Sequence, residues 1–505
     1  MTAFFSSVLR SFILLGVVGI LLVPSACRSQ PTSRSSVQTG AFAPSDTRTL
    51  REFGATGDGR SDDTAAMQRA FADSDRYCID GERRAYLVRG TLRVAKDLCL
   101  RNATFIQAAV GLDTTPYVNR DCPKASDPSA VVDCKDAAVP AGLIDPLWRS
   151  LTTRTLLIRP QGDRPLRIKL ESVKIDRGVQ AEGGSRTDAA GIWLDGADRV
   201  DFQNVEITGN GKGYGLLITN SRNVTLNDLW IHDLVWAPYR GDKPLLFTEV
   251  ASQGWNSVPI HEFREKGRGG SAGAKFYGVR IQEQLACASL SSVSNVRINN
   301  IRIERCLARF DKGDLPWQAD GLDIGRSSSD VFVNGARVDS AWEGVDVVAG
   351  GKGIERLHIS NLAVTNAFSF GLKMGQNLRN ATATGVRISR AGLSGIVIYG
   401  SARNIRVSRA SISDVGILTS PKGTYSPWPA GNRAGIRIDG NPPSAPRGVT
   451  LEDIEVTGEP SQFEFGILNT GGSGIQVERF VARGFRLERA HSVTESPEAA
   501  LSAQP

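Results

Sequence analysis

Four acidic residues and one lysine stand at matched places in the chain. Asp320 directly precedes Gly321 and Asp323 lies two residues after it; Glu343 directly precedes Gly344 and Asp346 lies two residues after it; Lys373 lies two residues after Gly371. Carboxylates held about one strand spacing apart cannot both ionise cheaply, so one keeps its proton near neutral pH while its neighbour stays anionic. Cleavage of a glycosidic bond needs that division: an acid for the leaving oxygen, and a carboxylate for water or the anomeric carbon. A spacing near 5 Å suits a retaining pair, and pairing across the cluster could reach the wider separation of an inverting one. Lys373 and Arg280 could hold a uronate carboxylate or, in a lyase, take its proton. Trp317, Trp342, Phe370, Tyr399 and Arg437 complete the candidate substrate-binding set. The same charges could instead form a solvated, ion-paired face, and the tryptophans could be buried corner residues.

Repetition must position these groups, and the chain has it. Apolar residues at i, i+2, i+5 and i+7 recur nine times, from Val200/Phe202/Val205/Ile207 to Ile475/Val477/Phe480/Ala482. Two period-two pairs separated by a slip describe two short strands meeting at a bend. Ahead of each copy stands a glycine opening an alternating run: Gly191, Gly215, Gly278, Gly321, Gly344, Gly371, Gly395, Gly435 and Gly466. Their spacings are mostly 23 to 31 residues, with intervals of 63, 43 and 40 that imply inserted loops. Three short strands per repeat describe one coil of an all-β solenoid, a parallel β-helix of about 9–11 coils whose strands stack about 4.8 Å apart. The general rule for parallel crossovers makes it right-handed. The ladder of a leucine-rich repeat is missing, and a propeller blade would need about 40 or more residues. In Gly321-Leu322-Asp323-Ile324 the alternation sends Leu322 and Ile324 to the core and Asp323 to solvent, so the charged columns are expected on the outer face.

The stretch from Leu50 to Ala70, Leu-Arg-Glu-Phe-Gly-Ala-Thr-Gly-Asp-Gly-Arg-Ser-Asp-Asp followed by Thr64 to Ala70, reads as a strand, a glycine turn and an Asp-capped helix with Met67, Ala70 and Phe71 on one face. It resembles the N-terminal signature of the pectate lyase and polygalacturonase-like β-helix superfamily. The resemblance implies a helix that caps the first coil. As a phosphate loop, Gly54 to Ser61 has Arg60 where lysine is needed. Gln318-Ala319-Asp320-Gly321 is similar to the Asn-Thr-Asp-Gly motif of polygalacturonases and puts Asp320 at their catalytic aspartate. Glu343 matches the second residue of their Asp-Asp motif, with Trp342 at the first. Phe370 stands where they have the histidine of Gly-His-Gly. Arg437 resembles the arginine of their Arg-Ile-Lys motif, with Asp439 in place of lysine.

The 505 residues carry a net charge of +7 spread along the chain, which suits an anionic polysaccharide and does not form the concentrated basic face of a nucleic-acid binder. Arg10 and the apolar run Phe12 to Val23 fit a secretory signal peptide over residues 1–27, so the chain is expected to be exported: periplasmic, outer-membrane-anchored or secreted. Ser25-Ala26-Cys27 resembles a bacterial lipobox, which would acylate Cys27; plain cleavage near Ala26 is the alternative. Residues 28–47 read as a flexible linker, 48–489 as the β-helix domain and 490–505 as a tail. Export suits disulfides among Cys78, Cys99, Cys122, Cys134, Cys287 and Cys306, with sequence neighbours suggesting 78–99, 122–134 and 287–306 out of 15 connectivities. The insertion from 235 to 277 could wall a groove or mediate an oligomer contact. His232, His261, His358 and His491 lack metal-site spacing; the acidic column could take calcium, and the expected chemistry requires no cofactor. The expected function is hydrolysis of an acidic extracellular polysaccharide. Lyase or epimerase chemistry, or a noncatalytic polysaccharide-binding scaffold, is the alternative.

Overall fold

Nine apolar templates become one stacked column. Val200, Val224, Val296, Val331, Leu357, Ala381, Ile405, Val449 and Ile475, the first residue of each template, are successive register partners in one parallel sheet. The computed structural model describes residues 44, 46–108, 154–177, 190–209, 215–233, 285–306, 319–325, 327–348, 353–367, 369–416, 434–440, 443–458, 465–484 and 494–495. All lie in the unit Ala41–Pro505. Cys27, Cys122, Cys134, Arg280, Trp317 and the 235–277 insertion fall outside the described residues. Among those described, no helix is long and apolar enough to cross a membrane.

The strands form an 18-stranded and an 11-stranded sheet, and every pairing in both is parallel between successive repeats. Each repeat contributes a short strand to the smaller sheet and a long or divided strand to the larger one, so the chain passes from sheet to sheet while each rung lies on the last. Leu, Ile and Val side chains from both sheets are buried together between them.

The slip inside the template has a backbone cause. The residue at i+4 is left-handed in all nine copies: Asn204, Asp228, Asn300, Gly335, Asn361, Gly385, Arg409, Asp453 and Arg479, with φ between 51° and 76°. One such residue turns the strand and moves the alternation by one position, so both halves send apolar side chains inward. Asn, Asp and Gly dominate the column because they tolerate that conformation best.

The recurring glycine is explained by space. A β-carbon at Gly344 would stand 2.5 Å from the Gly371 carbonyl oxygen of the next rung and 2.8 Å from Val364 Cγ2; Gly371, Gly395 and Gly435 meet the next glycine's carbonyl at 2.9 Å. Rungs therefore approach too closely there for any side chain. Gly344→Val is expected to destabilise the fold by about 3 kcal/mol in urea denaturation, by overpacking. Gly162→Ala, at a position with nothing within 4 Å of the added carbon, should leave the midpoint unchanged.

The N-terminal segment departs in two details from the strand, turn and capped helix expected. Leu50–Phe53 is a 3-10 helix, closed by a reciprocal cap between Thr49 and Glu52 and ended by left-handed Gly54. The helix Thr64–Ala72 follows, with Met67, Ala70 and Phe71 buried. Asp63 precedes it without capping it; its carboxylate turns back to accept from Thr56 N at 2.6 Å and Gly57 N at 3.1 Å. The Gln68 amide then bonds both backbone groups of Arg93, at 2.7 and 3.0 Å, on Leu92–Val94, the terminal strand of the smaller sheet. A side chain thus stands in for the missing neighbour strand at an otherwise open edge.

Cys78 and Cys99, register partners on adjacent strands, are bonded with Cα atoms 4.6 Å apart, and Cys287 is bonded to Cys306 with Cα atoms 5.9 Å apart. The suggested 122–134 pair lies outside the described residues.

Candidate active site

On the smaller sheet one register column runs through Leu157, Trp193, Leu217, Ser289, Asp323, Asp346, Lys373, Val397, Arg437 and Leu468. It begins as a buried apolar patch of Leu157, Trp193 and Leu217, is charged over the three rungs of Asp323, Asp346 and Lys373, and after Val397 is charged once more at Arg437 before ending at Leu468. Asp323, Asp346 and Lys373 are consecutive in it because Ala319–Gly325, Val345–Val348 and Leu372–Gly375 are neighbouring strands. The position expected for Arg280 belongs to Ser289. The run after Gly278 mimics the repeat, but the strand of this rung is Leu285–Ser291, with Cys287 level with Gly321. Ser289, missed in the sequence, donates from Oγ to Asp323 Oδ2 at 2.7 Å. The alternation Ala286-Cys287-Ala288-Ser289-Leu290 was the available signal, hidden by the absence of a glycine.

Asp320 and Glu343 stand one rung apart, each three residues ahead of its column member Asp323 or Asp346, and the Glu343 backbone N–H donates to Asp320 Oδ1 at 3.2 Å. The ammonium of Lys373 joins the cluster, 2.9 Å from Glu343 Oε2 and 3.3 Å from Asp346 Oδ2. These groups do not face solvent as expected: Asp320 and Asp346 are 0% exposed and Glu343 3%. Asp323 is half-buried. Alternation correctly separates core from outer side chains, but it cannot show that the outer face of these rungs is itself covered.

Burial decides the protonation. Asp320 is held well above the usual carboxylate range by desolvation first, then by the charges of Glu343 and Asp346. Desolvation pushes Glu343 up to about 8, with Lys373 opposing and Asp346 adding to the rise. Burial alone would lower Lys373, but Asp346 and Glu343 override it and hold the ammonium well above its ordinary value. One ammonium cannot neutralise three ionised carboxylates, and the protons on Asp320 and Glu343 remove the excess negative charge. Asp320 Oδ2 is buried and finds no hydrogen-bond partner among the described residues.

Tyr399 covers the lysine side of the cluster, its ring centroid 5.8 Å from Lys373 Nζ. Gly375, its register partner one rung earlier, makes room: a β-carbon there would run into the tyrosine ring. Burial, together with Asp346 and Glu343, raises the Tyr399 hydroxyl above its ordinary value against the pull of Lys373. Arg437 lies two rungs beyond Lys373 and is buried, paired with Asp439 at 3.3 Å, so it extends the column without joining the cluster. Phe370 is buried beside Gly371, and Trp342 is half-buried, its carbonyl accepting from Ser369 N at 2.7 Å.

Asp320, Glu343 and Asp346 each offer one oxygen, all within 4.8 Å of one another, so the triad could hold a divalent cation, and hard carboxylate oxygens suit calcium. Lys373 already lies between two of the three, and an ion would have to displace the ammonium or share the cluster with it.

No family model and no curated protein matches the sequence. Solved structures do match. The family 28 exopolygalacturonase of Yersinia enterocolitica superposes with a TM-score of 0.50 at 12% identity, over 90% of this chain and 77% of that one. That likeness shows a shared parallel β-helix fold. Two further similar structures are the mannuronan C-5 epimerase A-module of Azotobacter vinelandii, with a TM-score of 0.49 at 12% identity over 90% of this chain and all of that one, and a DFA-IIIase of Arthrobacter chlorophenolicus, with a TM-score of 0.49 at 12% identity over 86% and 94%. At 12% identity the likeness shows the backbone alone, and chemistry must be argued from the cluster itself.

Proposed function

We propose that this protein is an exported glycoside hydrolase acting on an acidic, uronate-containing extracellular polysaccharide. The observation that carries the reading is Glu343, a carboxyl group whose surroundings keep it protonated up to about 8, beside further carboxylates and a fixed ammonium. Such a group can protonate a leaving glycosidic oxygen near neutral pH. Asp323, half-buried and oriented by Ser289, is the carboxylate best placed to meet water or the anomeric carbon. Lys373 fixes the charge of the cluster and attracts a uronate, and its raised pKa makes it a poor base, which counts against a lyase that would use it so. The exopolygalacturonase that shares this backbone is, by its name, active on such a polymer.

Parallel pairing throughout supports right-handed winding, by the general handedness rule, in a solenoid of about 9–11 coils. Export is supported by the two disulfides, which persist in oxidising compartments, and Cys27 is the residue that would carry a lipid. Near-complete burial of Asp320 and Asp346 favours a second reading, a noncatalytic polysaccharide-binding scaffold.

The test is incubation of the purified protein with polygalacturonate, alginate and neutral glucans, reading new reducing ends and the absorbance of unsaturated products together. New reducing ends without unsaturation on an acidic polymer are expected. Unsaturated products would replace the hydrolase with a lyase, and silence on every polymer with binding retained would establish the scaffold.

A further inference from the structure

Around the turn from the carboxylate cluster, three arginines stand on three consecutive rungs. Arg379, Arg403 and Arg447 are register partners at the starts of the long strands Leu378–Ala391, Arg403–Val415 and Arg447–Thr457. Neighbouring strands put them about 4.8 Å apart along the stack. Arg379 and Arg447 are exposed and Arg403 is half-buried. Like charges directly opposite one another on adjacent strands destabilise a sheet, so three in succession call for a compensating charge. Among the described residues none of the three forms an ion pair. Glu355, the register partner of Arg379 on its other side, is paired with Arg356 at 3.0 Å, and Ser473 follows Arg447. The guanidinium of Arg403 is held in place by the Ala402 and Ala445 carbonyls at 2.8 and 2.6 Å. Its pKa is lowered by burial and then by Arg447 and Arg379, in keeping with a shared, uncompensated field.

We propose that Arg379, Arg403 and Arg447 form a binding ladder for a linear polyuronate, outside the carboxylate cluster. Guanidinium groups match carboxylates in charge and in bidentate geometry, and a ladder with one cation per rung suits a polymer with one carboxylate per sugar. Beside the ladder, Asn380 and Asn404 are exposed and bonded to each other at 3.0 Å, offering amides to sugar hydroxyls. The residues adjoining the arginines in the next position, Asn380, Asn404 and Gly448, give no aromatic face on which a nucleic-acid base could stack, which favours a polyuronate over a nucleic acid. The same three rungs carry Lys373, Val397 and Arg437 on the smaller sheet, so the ladder shares the rung of Lys373 with the cluster and runs on two rungs past it. The proposal rests on the uronate-polysaccharide reading for its substrate class.

The experiment is calorimetric titration of the full protein with oligogalacturonate at low and at raised salt, beside Arg379→Gln/Arg447→Gln, Arg379→Lys/Arg447→Lys, a neutral oligosaccharide and a single-stranded DNA of equal charge. Both substituted residues are exposed, so folding is preserved. Binding should weaken with salt, fall about tenfold in the glutamine variant at low salt, and be largely kept in the lysine variant. Unchanged affinity in the glutamine variant, equal binding of the neutral oligosaccharide, or tighter binding of the DNA would each overturn the ladder. Salt-sensitive binding through the arginines without cleavage would uphold it and sink the hydrolase.

Discussion

Glu343→Gln is expected to lower kcat/KM on the polysaccharide by about 10²–10⁴-fold, the usual contribution of a positioned general acid, while the protein stays folded. Glutamine keeps the shape and the neutral charge of the protonated acid, and its carbonyl can still accept from Lys373, which lies 2.9 Å from Glu343 Oε2. Only the transferable proton is lost. In the proposed mechanism the active form is the acid, so activity should decline as pH rises through about 8, and the residual activity of the variant should lack that limb. Stability must move with it. The folded pKa of about 8 lies above the ordinary glutamate value of 4.5, so between these pH values the folded state binds more protons than the unfolded chain. The parent therefore loses stability as pH rises through this window, and a neutral amide that cannot titrate removes the loss. Thermal unfolding of both proteins at about pH 4 and pH 8 should show the variant gaining on the parent at the higher pH. Unchanged turnover would remove Glu343 from the chemistry; lost turnover matched by lost folded fraction would make its role structural.

The architecture was legible because it is periodic. Nine copies of one apolar template sufficed to place two strands and a bend, and left-handed residues such as Asn204, Asp228 and Gly335 now account for the slip between them. The glycine alignment also brought Asp323, Asp346 and Lys373 into one column, since a fixed offset from a repeated steric constraint is a spatial coordinate in a stacked sheet. It failed where the constraint was absent. Cys287 replaces glycine on the rung of Leu285–Ser291, and a chance Gly278-Val279-Arg280-Ile281 just after the 235–277 insertion took its place. Burial was the other failure. Period-two alternation distinguishes inside from outside for a single sheet, but whether the outside is wet depends on what other segments cover, and no local pattern encodes that. Solvated carboxylates were expected, and enclosed ones with raised pKa were found. The difference is chemical, because a solvated cluster would ionise and an enclosed one retains protons it can give away.

Lys373→Met should cost about 3–5 kcal/mol of stability near neutral pH, the price of leaving a buried charge without its partner. Methionine fills similar volume, so the loss measures charge rather than a cavity. Removing the ammonium leaves Asp320, Glu343 and Asp346 within 4.8 Å of one another with no compensating cation. The variant can fold only by binding additional protons, and its carboxyl groups must be raised further above their unfolded values than in the parent. The penalty consequently has a direction with pH. It is largest where the unfolded chain holds its carboxylates ionised, and it shrinks as pH falls toward about 4, where the unfolded chain takes up the same protons. Urea denaturation across that range should show parent and variant converging at low pH. A penalty constant with pH would mean that Lys373 acts by packing, including its contact with the Tyr399 ring, and no penalty at all would mean that the carboxyl groups are already neutral in the parent. Convergence at low pH would show that one lysine is what lets three carboxyl groups share a buried site, and it is the same electrostatic balance that leaves Glu343 holding its proton at the pH where a glycosidic oxygen needs one.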